Sequence, residues 1–267
     1  MAGVWKQKRR GCTMLSDRKS ALLRAGKFCL ALLPIAVAAG FCIAWYEIQS
    51  GILNPSALAY SLPVIIAIVT LQTVFYALFC GFTGYLMASA LGLNRPFGFQ
   101  KRPLCISCGV GVACGILFYL LDAHIFAGML PEVSALYVDY RPTVIEFLAK
   151  VLYGGVMEEV FLRLFALSLF AWLLWKVFCR KAVAGNLPAW ILVVANVLAA
   201  TLFALGHLPA TQVLFGRLTA LIVLRCMLLN GVFGFAFGYA YTRYGIQYAM
   251  LAHALTHVVC ILCLILF

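Results

Sequence analysis

Seven stretches of this chain stay apolar for long enough to cross a membrane, and polar residues mark the breaks between them. A hydrocarbon core of about 30 Å takes roughly 20 apolar residues as a helix. The stretches fall near 24–46, 62–90, 103–123, 145–175, 188–208, 218–241 and 247–267, and each predicts a transmembrane helix. The fourth is longer than a crossing needs, which predicts either tilt or an interfacial start containing Glu146 and Lys150. The segments PSALAYSLP at 55–63 and LPATQVLFG at 208–216 can dip partly into a membrane, so an eighth element is the alternative count. The fold class that follows is an all-α polytopic membrane protein, a bundle of seven or eight helices in one membrane domain.

Composition agrees with this pattern. Hydrophobic residues make up 65% of the 267 and charged residues 10%, with a mean hydropathy of +1.04. Soluble domains are about 25% charged, so this chain cannot cover a soluble surface. The net charge is +12, and eight of the twenty lysines and arginines fall in the first 27 residues: Lys6, Lys8, Arg9, Arg10, Arg18, Lys19, Arg24 and Lys27. Such a run also suits nucleic acid, but its place directly before a span makes it an orientation signal, and no nucleic-acid partner is expected. Its length and the long first apolar run argue against a cleaved signal peptide.

Arg95, Lys101 and Arg102 mark the same side as the N-terminus, as do Lys176, Arg180, Lys181 and Arg243. Asp122, Glu132, Asp139 and Arg141 lie on the other, with Glu47 in a charge-poor connection. The positive-inside rule then places the N-terminus in the cytoplasm, for a protein of the plasma or inner membrane, and seven spans leave the C-terminus outside. Most of the eleven cysteines sit in apolar runs (Cys29, Cys42, Cys80, Cys114, Cys226, Cys260, Cys263) and read as small buried hydrophobes. Cys105 and Cys108 form a C-x-x-C at the mouth of a span without the βαβ context of a redox motif. No internal repeat stands out. Polar groups within apolar segments concentrate after residue 155.

Chemistry enters with those groups. Glu158, Glu159 and Arg163 lie inside YGGVMEEVFLRLFALSLFAWLLW. Carboxylates at membrane depth are costly unless they face protein or a water-filled cavity. On a helix Glu159 and Arg163, four apart, share a face and form an ion pair. Glu158 is rotated about 100° from Glu159 and is free to act on a water. The competing reading is a structural ion network between helices. His207 closes TLFALGH before Pro209, with Phe203 four residues earlier on the same face. It suits an interfacial cap as well as a catalyst. His253 and His257 are also four apart, so both imidazoles face one way, as a pair of metal ligands or as donors to an oxyanion. Asn196 and Asn230 offer supporting hydrogen bonds, and Arg225 is expected to pair with a carboxylate, Glu158 and Glu159 being the candidates, or to snorkel. His124, beside Asp122, reads as interfacial. Gly234 and Gly238 form a G-x-x-x-G that permits close helix contact, amid six aromatics from Phe233 to Tyr244.

Taken in order, these motifs resemble the CAAX prenyl protease and bacteriocin-processing family, the Abi or Rce1-like intramembrane proteases. Its E-E-x-x-x-R matches Glu158, Glu159 and Arg163; its F-x-x-x-H matches Phe203 and His207; its H-x-x-x-N matches His253, with His257 where Asn is common. The resemblance covers about 145–262. The basic run and the concentration of polar groups late in the chain divide it into a basic cytoplasmic segment at 1–22, a membrane scaffold half at 23–144 and a half at 145–267 that the resemblance marks as catalytic. The resemblance further implies an endopeptidase in which Glu158 and His207 activate water while His253 and His257 stabilise the oxyanion, supported by Glu159, Arg163, Phe203, Asn230 and Arg225. The substrate would be a membrane-associated protein or peptide, either prenylated or a leader peptide, met at the lipid bilayer. The family has been assigned both a metal-free glutamate mechanism and a zinc mechanism. Either no cofactor or Zn2+ is therefore implied, with Glu158, His207, His253 and His257 as the ligand candidates. A non-catalytic scaffold of the same fold and a proton-coupled transporter are the other functions this pattern admits.

One conflict stands. With these limits His207 falls near the outer end of its span and His253 near the inner end of its own. The family site is described as open to the cytosol, so the expectation is a re-entrant 209–217 connection or a span count off by one.

Overall fold

A backbone surrounded by lipid must satisfy its N–H and C=O groups internally, so each apolar stretch closes into a helix. The structure, a computed structural model, describes residues 2–57, 59–179 and 187–267, with side chains described from Lys19 onward. Seven described helices are long and apolar enough to cross a membrane: Lys19–Gln49, Leu62–Leu91, Lys101–Met129, Val144–Phe178, Ala189–Phe215, Ala220–Tyr244 and Ile246–Leu266. No strand occurs among the described residues. The first span continues a helix that starts at Ala2. The side chains of Lys6, Lys8, Arg9, Arg10, Arg18, Arg180 and Lys181 lie outside the described part.

The eighth element is absent among the described residues. Pro55–Ala57 is a single 3-10 turn, and Leu208–Phe215 is a short helix that extends the fifth span past a break at His207. The third span runs further than its apolar pattern suggests, to Met129 rather than 123. The reason is Asp122, which is 1% exposed and paired with Arg225, so its charge does not end the span.

The fourth span is the centre of the bundle and packs on the first, second, fifth, sixth and seventh. The Thr143 hydroxyl caps its start, accepting from the Glu146 backbone N–H at 3.0 Å, and Glu146 itself favours the positive end of the helix. Glu146 also takes Lys150 at 2.7 Å and the Tyr140 hydroxyl at 2.7 Å, which ties the preceding loop to the helix. Deeper in, Met157, Val160, Leu164 and Leu167 are buried. Between lipid-embedded helices tight packing supplies the association energy, so small residues sit at the closest approaches. A Cβ on Gly84 would lie 2.7 Å from the Leu164 carbonyl, and one on Gly111 2.6 Å from the Ala252 carbonyl. Large apolar side chains such as Leu71 and Phe75 point outward, where lipid covers them.

Consecutive spans alternate in direction. Gly154 meets His257 and Gly155 meets Ala254, so the fourth and seventh spans are antiparallel, whereas Gly111 and Gly115 follow Ala252 and Thr256 in parallel. The connections therefore sort into two faces. One carries 92–100, Gly245 and the facing helix ends at Phe178 and Ala189; the other carries 130–143, 216–219 and the facing helix ends at Gln49 and Leu62.

Candidate active site

The fourth span widens where the two glutamates sit. Its turns are of the π type over Ala149–Met157 and again over Val160–Leu167. Wide turns of this kind concentrate at functional sites because they re-aim side chains out of the regular ladder. The pattern recurs at Leu120–Phe126, which holds Asp122, and at Met227–Val232, which holds Asn230. The apolar periodicity gave no sign of these turns.

Glu159 points into the bundle and is fully buried. Its Oε1 lies 2.8 Å from His253 Nδ1 and 2.9 Å from Arg163 Nη1. The arginine contact is close but off hydrogen-bond geometry, since Nη1 has no hydrogen-bond partner among the described residues, and neither has Glu159 Oε2. Arg163 Nη2 donates to the Gly234 carbonyl at 2.8 Å. Its guanidinium lies over the Phe203 ring at 4.7 Å and the Phe237 ring at 5.5 Å. Two aromatic faces and a carboxylate thus hold a cation away from water. The sixth span leaves room for it, because a Cβ on Gly234 would stand 2.8 Å from Arg163 Nη2.

Glu158 turns the other way, into a cavity of about 420 Å³. Its Oε1 is 3.9 Å from His207 Nε2 and its Oε2 is 3.9 Å from His253 Nε2. Both gaps are too long for a direct hydrogen bond, and a water on the cavity side, off the line between the atoms, can bond both partners of a pair. His207 Nδ1 donates to the Phe203 carbonyl at 2.9 Å. In the neutral ring this leaves Nε2 as an acceptor facing Glu158. His253 Nδ1 donates to the Glu159 carboxylate, so its Nε2 donates as well only when the ring is an imidazolium, which Glu159 would compensate. The His253 ring stacks on Phe237 at 4.5 Å and on His257 at 4.9 Å. His257 Nε2 fits only because residue 154 is glycine, whose Cβ would lie 2.6 Å away.

The structure therefore brings Glu158, Phe203, His207, His253 and His257 to the wall of one cavity, with Glu159 and Arg163 buried behind His253. The depth conflict dissolves without redrawing the spans. Phe203, one turn before His207, touches His207 at 4.7 Å and His253 at 5.9 Å, and the two oxygens of Glu158 reach one histidine each. Leu208–Phe215 continues as a helix, with the Thr211 backbone N–H donating to the His207 carbonyl.

Two expected supports are placed differently. Arg225 does not pair with Glu158 or Glu159. Its Nε and Nη2 each lie 2.6 Å from the two oxygens of Asp122, and the Tyr137 hydroxyl donates to the same carboxylate. A bidentate partner in the third span outcompetes a site carboxylate on the fourth. Asn230 lines the cavity but donates to the Cys226 carbonyl of its own helix at 2.9 Å. Asn196 bonds the Phe235 carbonyl at 2.9 Å, and Gly238 is open to receive it, which makes the G-x-x-x-G a packing device. His124 is exposed and sits edge-on to Tyr119. Sequence reasoning overlooked Tyr153, Lys150 and Glu47, which line the same cavity, and Gly154, whose only signal was its place beside the glutamates.

A zinc ion takes three or four donors at about 2.0–2.3 Å from one point. Among the described residues no three His, Cys, Asp or Glu side chains converge in that way. The donors as placed do not fit the ion. Cys105 is exposed, Cys108 is half-buried, and both are free thiols, as are the buried Cys29, Cys42, Cys80, Cys114 and Cys226.

An all-helical polytopic membrane protein with a Glu–His–Arg centre inside its bundle is the class that fold and site define. Residues 140–259 match the family model described as type II CAAX prenyl endopeptidase, Rce1-like. This stretch of the chain is similar to that family of endopeptidases. The match leaves residues 1–139 and 260–267 outside it. No curated protein and no solved structure matches the chain.

Proposed function

We propose that the chain hydrolyses a peptide bond of a membrane-associated protein or peptide at the Glu158 cavity. The observation that carries this reading is the pair of 3.9 Å separations between one carboxylate and two histidine Nε2 atoms at the wall of a cavity, where a water entering from the cavity would be within reach of all three groups. Glu158, helped by the acceptor nitrogen of His207, takes a proton as the water oxygen attacks the scissile carbonyl carbon. The oxyanion that forms is held by His253 and His257. Collapse of the intermediate breaks the C–N bond, and the proton held by Glu158 passes to the leaving amine. Glu159 and Arg163 act through His253: the carboxylate fixes the ring and balances its charge, and the arginine fixes the carboxylate.

The test is cleavage of a membrane-peptide library by the purified protein in detergent, beside Glu158→Gln. Loss of a general base costs about 10²–10⁴-fold, with the thermal unfolding midpoint little changed. Equal cleavage by the two proteins would remove Glu158 from the reaction. Metal analysis of the same active sample decides the zinc alternative: a stoichiometric metal would revive it, and a metal-free active protein would retire it.

A further inference from the structure

The cavity around Glu158 has a direction. Its walls come from the end of the first span at 43–52, the first turns of the fourth at 149–158, the last third of the fifth at 203–214 and the leading part of the sixth at 225–237. Most of these positions lie in the half of the bundle next to the face that carries 130–143 and 216–219, with Phe237, His253 and His257 at middle depth. Side-chain exposure rises the same way: 5% at His253, 16% at Glu158, 27% at Lys150 and 35% at His207. Toward the other face the path is closed. Glu159 and Arg163 are buried under the rings of Phe203 and Phe237. Below them Leu164, Leu167, Ser168, Ala171 and Tyr241 form a dry layer, joined by the Ser168–Tyr241 hydroxyl contact of 2.8 Å.

The two faces also differ in charge. The closed face carries Lys19, Arg24 and Lys27 at the start of the first span, with Arg95, Lys101, Arg102, Lys176 and Arg243 in its connections and helix ends, and the sequence sets a single acidic residue, Asp17 just before Lys19, against them. The open face mixes signs, with Glu47, Glu132, Asp139 and Glu146 beside Arg141, Lys150 and Arg217. Basic connections stay in the cytoplasm. The open face is then the extracytoplasmic one.

We propose that the site is served from the extracytoplasmic face, and that its substrate is a membrane-anchored peptide whose scissile bond lies on that side. This rests on the peptidase reading of the same cavity. A lipidated C-terminus waiting in the cytosol meets the closed face and the dry layer. A cavity of about 420 Å³ with walls such as Ile43, Ile52, Phe118 and Leu214 suits a short extended segment of chain rather than a folded domain. The chain departs here from the cytosol-facing arrangement that its motifs suggest.

Three single-cysteine variants of the full chain in cell membranes test the side: Leu214→Cys at the cavity mouth, Val138→Cys in the 130–143 connection and Phe97→Cys on the basic face, all exposed positions outside the catalytic set. A charged, impermeant maleimide is added to intact cells, and the modified peptides are identified by mass spectrometry, which separates the new thiols from the native ones. The expected result is modification at 138 and 214 from outside, and at 97 only after permeabilisation. The reverse pattern overturns the proposal, because the mouth would then face the cytosol. A second arm adds an impermeant quenched-fluorescent peptide, chosen from those cut in detergent, to sealed vesicles. Cleavage by right-side-out vesicles alone supports the proposal, and cleavage by inside-out vesicles alone sinks it while leaving the peptidase reading intact. Failure to cut any library peptide in detergent, with outside labelling as expected, retires the peptidase reading and this substrate with it, and leaves the side of the mouth established.

Discussion

Two buried carboxylate–arginine pairs sit in this bundle, and they are built on opposite plans. Asp122 and Arg225 come from spans 103 residues apart in sequence and meet through two contacts of 2.6 Å, with Tyr137 donating to the same carboxylate. Glu159 and Arg163 are one turn apart on one helix, make a single 2.9 Å contact and leave a carboxylate oxygen and a guanidinium nitrogen without hydrogen bonds. The first pair spends its valences on itself and staples the third span to the sixth. Burial and the adjacent Asp122 carboxylate hold the Tyr137 phenol far above its ordinary pKa, so the hydroxyl keeps its proton as a donor at any working pH. The second pair passes its charge on, through the 2.8 Å contact to His253. A satisfied pair is structural, and an incompletely satisfied one is available to a third group.

Breaking the staple should have the largest effect. Asp122→Ala leaves Arg225 buried without its carboxylate and should cost about 3–5 kcal/mol of stability, read as a fall in the unfolding midpoint in detergent, with activity per folded molecule kept. A double variant, Asp122→Leu with Arg225→Met, should recover most of that loss. A double variant as unstable as the single one would show that the pair is no staple. Glu159→Gln comes next. It should slow cleavage about 10–100-fold, the range for groups that orient a functional histidine, and destabilise less than Asp122→Ala. The opposite ranking of the two variants would erase the contrast.

Gly234→Ala sharpens the comparison at a smaller scale. Its methyl would press on Arg163 Nη2 at 2.8 Å and on the Phe203 ring at 3.0 Å. Overpacking of this kind costs about 1–3 kcal/mol. Gly109→Ala meets nothing within 4 Å and should stay within about 0.5 kcal/mol of the parent. Smallest of all is the surface pair of Glu132 and Arg217, 3.0 Å apart at the rim of the open face. A backbone hydrogen bond and the Arg217 side chain hold the Glu132 carboxyl below its ordinary range. A lowered folded pKa gives a contribution that is full above the unfolded value and lost as pH falls through the folded one. The difference in midpoint between the parent and Arg217→Ala should therefore be slight at neutral pH and vanish on acidification or in high salt, because the pair is exposed to screening. A difference that grows in acid would contradict that sign.

Much of this was legible in the residues. The apolar pattern located seven helices because a span in lipid needs length and hydropathy and little else. The E-E-x-x-x-R spacing split two adjacent glutamates by helical phase, since local geometry ties residues four apart. Arg225 takes a carboxylate as expected, but which one was not legible for the converse reason: nothing in a linear pattern reports that the third span runs on to bring Asp122 within 2.6 Å of it. The π turns at 149–157 and 160–167 were equally silent, because they arise from how the helix is packed rather than from its composition.

By itself the sequence determined the medium, the number of crossings, the charge asymmetry between the two faces and the residues with something costly to hide in lipid. Each of these follows from composition or from spacing along one helix. Tertiary structure decided the rest: which histidine nitrogens face Glu158, which arginine is spent as a staple, and that the cavity opens away from the basic connections. Those depend on contacts between spans far apart in the chain, where tilt, side-chain reach and the absence of a Cβ at Gly154 and Gly234 set distances that no local rule contains.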